Sequence, residues 1–247
     1  MRILLANDDG IDAFGLALLK EAASLISKDV WVVAPSGKRT AASNSLTIGR
    51  PLEVTQVGSK TFACSGTPAD CITVAMTWLF QQDQVPDLVL SGVNDGRNVA
   101  EDIAYSGTMA IAREATFWGI PAVALSRVKN ADYERDDATH IARMIDRLWT
   151  YRKDWLAEGH WLSVNLPTGL PADLHPATIG RDKIGSSCEI LRQEGDLTEI
   201  MVPRGRQGTK RTGDENSLLS QGFATFNRLH WASDAPVSHD VFQRLSG

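Results

Sequence analysis

The sequence is short of cysteine and of long apolar runs. Its 247 residues include three cysteines, Cys64, Cys71 and Cys188, and their spacing matches no metal-binding motif. No basic segment leads into an apolar signal core at the amino terminus, and no apolar stretch approaches the roughly 20 residues that cross a membrane. We therefore expect a cytoplasmic protein that has no membrane partner.

Positive charge is also in short supply. Lysine and arginine together number 25 against 30 acidic residues, which gives a formal net charge of -5. A protein that covers nucleic acid through phosphate contacts needs the opposite balance, so no stable nucleic-acid partner is expected. The charge balance does not exclude binding of a small phosphorylated ligand, because a few residues are enough to bind it. With 43% hydrophobic and 22% charged residues, the composition is that of an ordinary globular protein.

Two features of serine hydrolases are missing. No Gly-x-Ser-x-Gly sequence is present, and no histidine lies in the amino-terminal loops. The histidines are instead expected at the surface or in packing positions, although an oligomer could bring His230 to the site from the tail. The five are His140, His160, His175, His230 and His239.

Short apolar runs alternate with segments of helical periodicity through residues 1–170. The runs have the length of buried strands, and the intervening segments repeat apolar residues every three or four positions. This alternation predicts an α/β fold with a doubly wound, mostly parallel sheet. The tryptophans are expected to add bulk to its core, as at Trp78, Trp118 and Trp149. The predicted strands are 2–6, 30–34, 52–57, 61–64, 87–90, 122–126 and 161–165, and the predicted helices are 15–27, 68–80, 106–118 and 136–150.

The pattern changes after Pro167. The remaining chain is Gly-rich and charged, with short apolar pieces at 199–202 and 223–226 that are candidate strands. We therefore divide the chain into a catalytic core, residues 1–170, and a carboxyl-terminal segment, residues 171–247. The second segment is expected to be a β-rich accessory or oligomerisation arm within the same domain.

Two adjacent carboxylates, Asp8 and Asp9, follow the first predicted strand and precede Gly10. Ligands of doubly wound sheets bind in the crevice outside the carboxyl ends of the strands. Two carboxylates side by side repel unless a proton or a cation neutralises one of them, and oxygen ligands favour a hard ion such as Mg²⁺ or Mn²⁺. The alternative is an exposed turn in which these residues cap the next helix. Taken alone, the tripeptide favours neither interpretation.

Other polar segments are expected at the same edge of the sheet. If strands 2–6, 30–34 and 87–90 are neighbours, the loops that begin at Asn7, Pro35 and Ser91 emerge together. Carboxylate, hydroxyl and amide oxygens would then form one shell around a divalent ion. The side chains gathered there are Asp8, Asp9, Thr40, Ser43, Asn44, Ser45 and Asn94.

A further polar segment, 105–108, stands at the predicted start of a helix. Free backbone N–H groups and the helix dipole make such a position receptive to phosphate. Gly107 would let the anion approach the backbone closely. An ordinary helix cap by Ser106 is the alternative, and for this segment alone it is favoured.

Together, five stretches resemble the SurE survival-protein nucleotidases. They occur in order and cover most of the first 125 residues. Five ordered matches are far more specific than any one of them. The stretches are Asn7-Asp8-Asp9-Gly10, Ala34-Pro35 through Ala42-Ser43-Asn44-Ser45-Leu46-Thr47, Gly66-Thr67-Pro68-Ala69-Asp70-Cys71, Ser91-Gly92-Val93-Asn94 and Tyr105-Ser106-Gly107-Thr108.

The resemblance implies a metal-dependent phosphomonoesterase with a Rossmann-like core that acts on nucleoside 5'- or 3'-monophosphates. It also implies one divalent ion per subunit, Mg²⁺ or Mn²⁺, and a homodimer or homotetramer assembled through the carboxyl-terminal extension. By position, the metal ligands correspond to Asp8, Asp9, Thr40 and Asn94, and the catalytic residues to Asp8, Asp9 and Asn44. Phosphate binding corresponds to Ser43, Asn44, Ser106, Gly107 and Thr108.

The sequence departs from the family pattern at three places. The metal-binding hydroxyl, usually Ser followed by Gly, is here Thr40 followed by Ala41, which keeps the oxygen but stiffens the side chain. The loop after Asn94 contains Arg97, which is either a phosphate or base contact or a solvated loop residue. Residues 226–229 replace what is normally a Thr-Pro-containing strand end.

The mechanism expected from this site is attack on phosphorus by a metal-activated water, with Asp8 or Asp9 accepting its proton. A haloacid-dehalogenase-type phosphatase would instead need a nucleophilic Asp two residues before Asp9, where Asn7 stands. A receiver-type signalling domain, which has no hydrolase activity, needs a phospho-acceptor Asp at a later strand end, whereas the strand 87–90 is followed by Ser91. Metal-dependent hydrolysis is therefore the favoured reading.

Overall fold

A computed structural model describes residues 1–81, 84–129, 133–183, 187–202, 206–209, 211–232 and 244. Its strands, in chain order, are β1 Arg2–Ala6, β2 Asp29–Pro35, β3 Val54–Gly58, β4 Thr61–Cys64, β5 Leu88–Asp95, β6 Ala122–Arg127, β7 His160–Leu166, β8 Leu174–Pro176, β9 Arg181–Lys183, β10 Glu189–Glu194, β11 Leu197–Met201, β12 Arg206–Thr209 and β13 Ala224–His230. The helices are α1 Phe14–Ile26, α2 Pro68–Val74, α3 Asp102–Tyr105, α4 Gly107–Phe117, α5 Asp137–Thr150 and α6 Glu215–Ser220.

Nine strands form one mixed sheet in the order β3-β4-β2-β1-β5-β6-β7-β13-β8. The six strands from β4 to β7 run parallel to their neighbours, while β3 and β13 run antiparallel to β4 and β7. Two small antiparallel pairs, β10 with β11 and β9 with β12, stand apart from this sheet. The predicted doubly wound α/β fold is confirmed, and β2, β1 and β5 are the neighbours that the site prediction requires.

Alternate residues of β1 supply the apolar cores on the two faces of the sheet. Ile3 and Leu5 belong to the cluster that includes residues of α1 and α5, whereas Leu4 and Ala6 belong to the cluster with α2 and α4. All four side chains are fully buried. A strand covered on both faces therefore needs a continuous apolar run, and this explains the composition of β1.

Local capping residues determine where α2 and α4, the helices on the Leu4 and Ala6 face of the sheet, begin. Thr67 accepts from the backbone of Asp70, whose carboxylate in turn accepts from Thr67 N–H, so the helix begins with a capping box. The helix α2 continues into a π-helical turn, Ala75–Leu79. At α4, Ser106 Oγ accepts from Met109 N–H at 3.2 Å, which is the predicted cap.

The elements β8, β9, β10, β12, α3 and α6 were not predicted from the sequence, and two predictions need correction. The strand expected to end at Leu90 continues to Asp95, because pairing with β6 resumes after an irregularity between Ser91 and Asn94. The expected core positions of Trp78 and Trp118 are wrong, since these side chains are 54% and 40% exposed. Trp78 lies near the end of the π-helical turn and Trp118 follows the last residue of α4, where fewer neighbours cover the ring.

The carboxyl-terminal chain contributes to the main sheet as well as to its surroundings. The strand β13 lies between β7 and β8, so the predicted strand at 223–226 is present and extends to His230. The predicted strand at 199–202 is part of the β10–β11 hairpin. The boundary at residue 170 stays a prediction. Within the described ranges, no helix combines the length and the apolar character needed to cross a membrane.

Candidate metal and phosphate site

The turn after β1 is closed by Asn7. Its side chain accepts from Gly10 N–H and donates to Gly10 O, at 3.2 and 2.9 Å, and Gly10 has a φ of 106° that disfavours other residues. The helix α1 starts later, with Ala13 as N-cap and no side-chain cap. The acidic pair therefore does not cap this helix, and Asn7 has a structural role.

The first carboxylate, Asp8, is buried, with 7% of the residue exposed. Its Oδ1 accepts from the hydroxyl of Thr108 at 2.6 Å. Burial raises the pKa of the Asp8 carboxyl to about 6, and the charge of Asp9 adds to this rise. The Thr108 hydrogen bond and the charge of Lys38 act in the opposite direction. A negative charge at this position needs positive compensation.

The second carboxylate, Asp9, contacts two other segments. Lys38 Nζ lies 2.6 Å from Asp9 Oδ1, and this contact raises the pKa of the lysine. The backbone N–H of Asp95, at the end of β5, donates to Asp9 Oδ2 at 3.3 Å. Asp9 thus joins the loop after β2 to the end of β5.

The two neutral ligand candidates stand beside these contacts. Thr40 is exposed and follows Arg39, whose N–H donates to Asp8 O at 2.7 Å. Asn94 is half-buried and precedes Asp95; its Nδ2 donates to Gly96 O at 2.7 Å, so its remaining polar atom is the acceptor Oδ1. Backbone contacts therefore bring the segments of all four proposed ligands to one edge of the sheet.

The donor set fits a hard divalent cation. A dication beside Asp8 and Asp9 would supply the positive charge that a buried carboxylate next to another carboxylate lacks. Among the residues that the structure describes, no three His, Cys, Asp or Glu side chains form a metal site. The remaining ligands would therefore be neutral oxygens from Thr40, Asn94, water or substrate, which is typical of Mg²⁺ and Mn²⁺ rather than of Zn²⁺.

The start of α4 lies directly against Asp8. A Cβ atom on Gly107 would stand 2.6 Å from Asp8 Cβ and 2.8 Å from Pro68 Cγ, so only glycine fits there. The hydroxyls of Ser106 and Thr108 are already engaged by Met109 N–H and by Asp8. What this turn can offer a phosphate is its backbone N–H groups and the dipole of an 11-residue helix.

The loop after β2 is attached to α4 by Ser43 and Asn44. Ser43 donates its backbone N–H to Tyr105 O at 3.0 Å and its hydroxyl to Ala104 O at 2.8 Å, so it holds the loop in place. Asn44 Nδ2 donates to Glu114 Oε2 at 3.4 Å. An amide has two N–H donors, so Asn44 carries one N–H beyond the one that Glu114 accepts, and its Oδ1 is buried without a partner in the described part of the chain.

Glu114 is a site neighbour that the sequence did not reveal. It is 5% exposed and also accepts from Trp118 Nε1 at 3.1 Å and from Thr73 Oγ1 at 3.3 Å. It therefore fixes the Asn44 amide from the second turn of α4. Its neighbours in the sequence, Arg113 and Ala115, gave no local signal for this contact.

Two other candidates have partners outside the proposed site. Arg97 pairs with Asp182 at 2.9 Å, so it contacts the carboxyl-terminal segment rather than standing free in a loop. His230 pairs in register with His160, which begins β7, and the two rings stand 4.6 Å apart. Within one subunit His230 is thus at the opposite edge of the sheet from Asp8.

Comparison with known proteins places this geometry in a family context. The family model described as survival protein SurE matches residues 3–186. A protein of Rhodospirillum rubrum named 5'-nucleotidase SurE is 38% identical over 239 residues, covering 92% of this chain and 89% of that protein. Its namesake in Methylorubrum extorquens strain PA1 is 43% identical over 184 residues, covering 72% of this chain and 71% of its own.

Solved structures agree with the sequence matches. The crystal structure of the SurE protein from Aquifex aeolicus superimposes with a TM-score of 0.83 at 25% identity, and the match covers 100% of both chains. The likeness extends beyond the family-model match, through the carboxyl-terminal strands.

Proposed function

The chain belongs to the survival protein SurE family, and we propose that it is a divalent-metal-dependent phosphatase that hydrolyses nucleoside 5'-monophosphates, with 3'-monophosphates as a further substrate class. The relatives named 5'-nucleotidase SurE support the reaction class. The observation that carries the proposal is the contact of Thr108 with Asp8, which joins an acidic pair to the anion-receptive start of α4.

The proposed roles follow from the contacts. Asp8, Asp9, Thr40 and Asn94 would hold one Mg²⁺ or Mn²⁺ per subunit. When bound, such an ion supplies Lewis-acid polarisation of a phosphate oxygen and acidifies a bound water. The backbone at Gly107 and Thr108 and the second N–H of Asn44 would bind the equatorial phosphate oxygens.

Proton transfer is assigned to the acidic pair. Of the two carboxylates, Asp9 is the more accessible, with 14% of its side chain exposed, and its oxygens face Lys38 and the Asp95 backbone. It is suited to accept a proton from an attacking water. Asp8, fixed by Thr108, would serve chiefly to bind the ion. Ser43 would contribute by keeping the Asn44 loop against α4.

Two alternative protein classes predict different experimental outcomes. A haloacid-dehalogenase-type phosphatase would pass through a covalent phosphoenzyme, but Asn7 is occupied with Gly10. A receiver-like binding domain would bind the ion without turnover. Trapping with labelled substrate separates the first from direct water attack, and steady turnover excludes the second.

We also propose a cytoplasmic homodimer or homotetramer. All three cysteines are free, which suits a reducing compartment. The β10–β11 hairpin is exposed along its whole length and carries apolar side chains that a second subunit would cover; these are Ile190, Leu191, Leu197, Ile200 and Met201.

The direct test is an activity panel. Purified, EDTA-stripped protein is assayed with nucleoside monophosphates and p-nitrophenyl phosphate, with and without added Mn²⁺ or Mg²⁺. We expect turnover only with metal. Inertness across the whole panel would instead favour a binding role.

A substitution at the acidic pair sharpens this test. Asp9→Asn should reduce activity by more than the roughly 10- to 100-fold that loss of an outer-shell partner costs, because it removes a proposed ligand. Asp12→Asn, the same change at an exposed position nearby, is the matched control. Wild-type turnover of Asp9→Asn in saturating Mn²⁺ would refute the assignment.

A further inference from the structure

A cleft of about 600 Å³ opens directly beside the acidic pair. Asp9 and Lys38 line one side of it, and Phe14 and Tyr133 are the aromatic residues of its lining. A volume of this size is within the range of small-molecule sites. Because Asp9 belongs to the cleft lining and to the proposed metal site, a ligand whose phosphate approaches the proposed ion can extend into the cleft.

The two aromatic rings are in contact but largely uncovered. The centroids of Phe14 and Tyr133 are 4.6 Å apart in an edge-to-face arrangement, yet the residues are 59% and 38% exposed. Neither ring belongs to the two apolar clusters of the core. An exposed aromatic pair that does not support the core, at the mouth of a polar site, is suited to stacking on a flat ligand.

Phe14 and Tyr133 are both attached to closely packed parts of the fold. Phe14 is the first residue of α1, and a Cβ on the next residue, Gly15, would lie 1.9 Å from Val93 O, so the helix start is tightly seated on β5. The Arg127 guanidinium lies 4.7 Å from the Tyr133 ring centroid and forms a buried ion pair with Asp137. A fixed aromatic surface costs little entropy when a ligand stacks on it.

We propose that Phe14 and Tyr133 form the binding site, or base seat, for the substrate's nucleobase, an inference that rests on the proposed nucleotidase function. Every base has a flat π-face, and stacking on an aromatic side chain tolerates all of them. Purines stack over more area than pyrimidines, so purine nucleoside monophosphates are the favoured substrates. This base seat thus favours nucleotides over phosphate esters that lack an aromatic ring.

The test compares two substrates that differ only in the base, AMP and ribose 5-phosphate, in saturating Mn²⁺. For Phe14→Ala we expect the KM for AMP to rise about 5- to 100-fold, the range seen when a stacking side chain is truncated. The kcat for AMP and both constants for ribose 5-phosphate should stay unchanged. Phe14→Tyr should restore the wild-type KM, and Tyr133→Ala should reproduce the effect of Phe14→Ala.

The control is Tyr151→Ala, which removes an exposed aromatic ring outside the cleft lining. Equal changes for AMP and ribose 5-phosphate in Phe14→Ala, or no change for either, would overturn the base seat while the phosphatase function stands. If the wild type hydrolyses neither substrate, the proposed function fails, and the seat fails with it.

Discussion

Thr108 and Asp8 are 100 positions apart in the sequence and share a hydrogen bond of 2.6 Å in a buried part of the site. The bond fixes one carboxylate of the acidic pair to the start of α4. The proposed metal and phosphate positions would therefore be set by the same contact, and changes at Thr108 should affect both.

We expect Thr108→Val to weaken Mn²⁺ binding by roughly 10- to 100-fold, the usual effect of losing a hydrogen bond to a metal ligand. Valine keeps the shape but leaves the buried Asp8 oxygen without its donor. Thr108→Ser retains the hydroxyl and should bind as the wild type does. Titration calorimetry measures both, and equal affinity of Thr108→Val and wild type would contradict the positioning role.

Gly107→Ala should destabilise the protein and reduce its activity together. The added Cβ would stand 2.6 Å from Asp8 Cβ, and relieving such an overlap costs about 1–3 kcal/mol. Thermal unfolding and phosphatase assays measure the two effects. Gly169→Ala is the control, because a Cβ there meets no atom within 4 Å. Identical behaviour of the two variants would show that the site tolerates the displacement.

The exposed hairpin predicts a dependence of assembly on its apolar side chains. Ile190 and Ile200 are paired across β10 and β11 and are 60% and 50% exposed. If the proposed oligomer forms through the hairpin, Ile200→Glu should convert it to a smaller species, because the charge would be buried at the interface. Light scattering after size-exclusion chromatography reports the mass. Leu25→Glu, at another exposed leucine, should leave it unchanged; a wild-type mass for Ile200→Glu would exclude the hairpin as an arm.

Stability at acid pH should depend on Asp29. The contact with Lys60 at 2.6 Å, assisted by Arg2 at 2.9 Å, holds the pKa of this carboxyl at about 2, below its ordinary 3.8. Because the folded-state pKa is the lower one, the contribution is present above pH 4 and is lost as the pH falls towards 2.

Asp29→Asn removes that contribution. The variant should be less stable than the wild type at pH 7, and the difference should shrink between pH 4 and pH 2. Urea unfolding at several pH values gives the free energy of unfolding for each protein. A difference that stays constant down to pH 2 would show that Asp29 is not the titrating group.

The main sheet and the location of the site could be predicted because their signals are local. An apolar run marks each of the strands β1 to β7, whereas the three-residue strand β8 has no such signal. A polar residue at the carboxyl end of a marked strand is placed by topology alone. This is why Asp8 and Asp9 could be placed just after β1, and why the helix starts at Pro68 and Gly107 agree with the structure. The roles of these site residues remain predictions.

The remaining features depend on contacts between distant segments. Lys38 reaches Asp9, and Glu114 reaches Asn44 across 70 positions, with no local pattern to announce either pair. Trp118 was expected in the core because of its size, but its indole N–H reaches Glu114 from an exposed position at the end of α4. Such contacts and exposures depend on tertiary packing, which sequence periodicity does not reveal.

The insertion of β13 between β7 and β8 has a consequence for biosynthesis. A chain leaving the ribosome exposes β7 as an unpaired edge until residue 230 has emerged, although every proposed ligand was synthesised more than a hundred positions earlier. Unpaired edges invite association with other nascent chains. Pairing of the late strand β13 with β7 therefore removes this edge only near the end of synthesis.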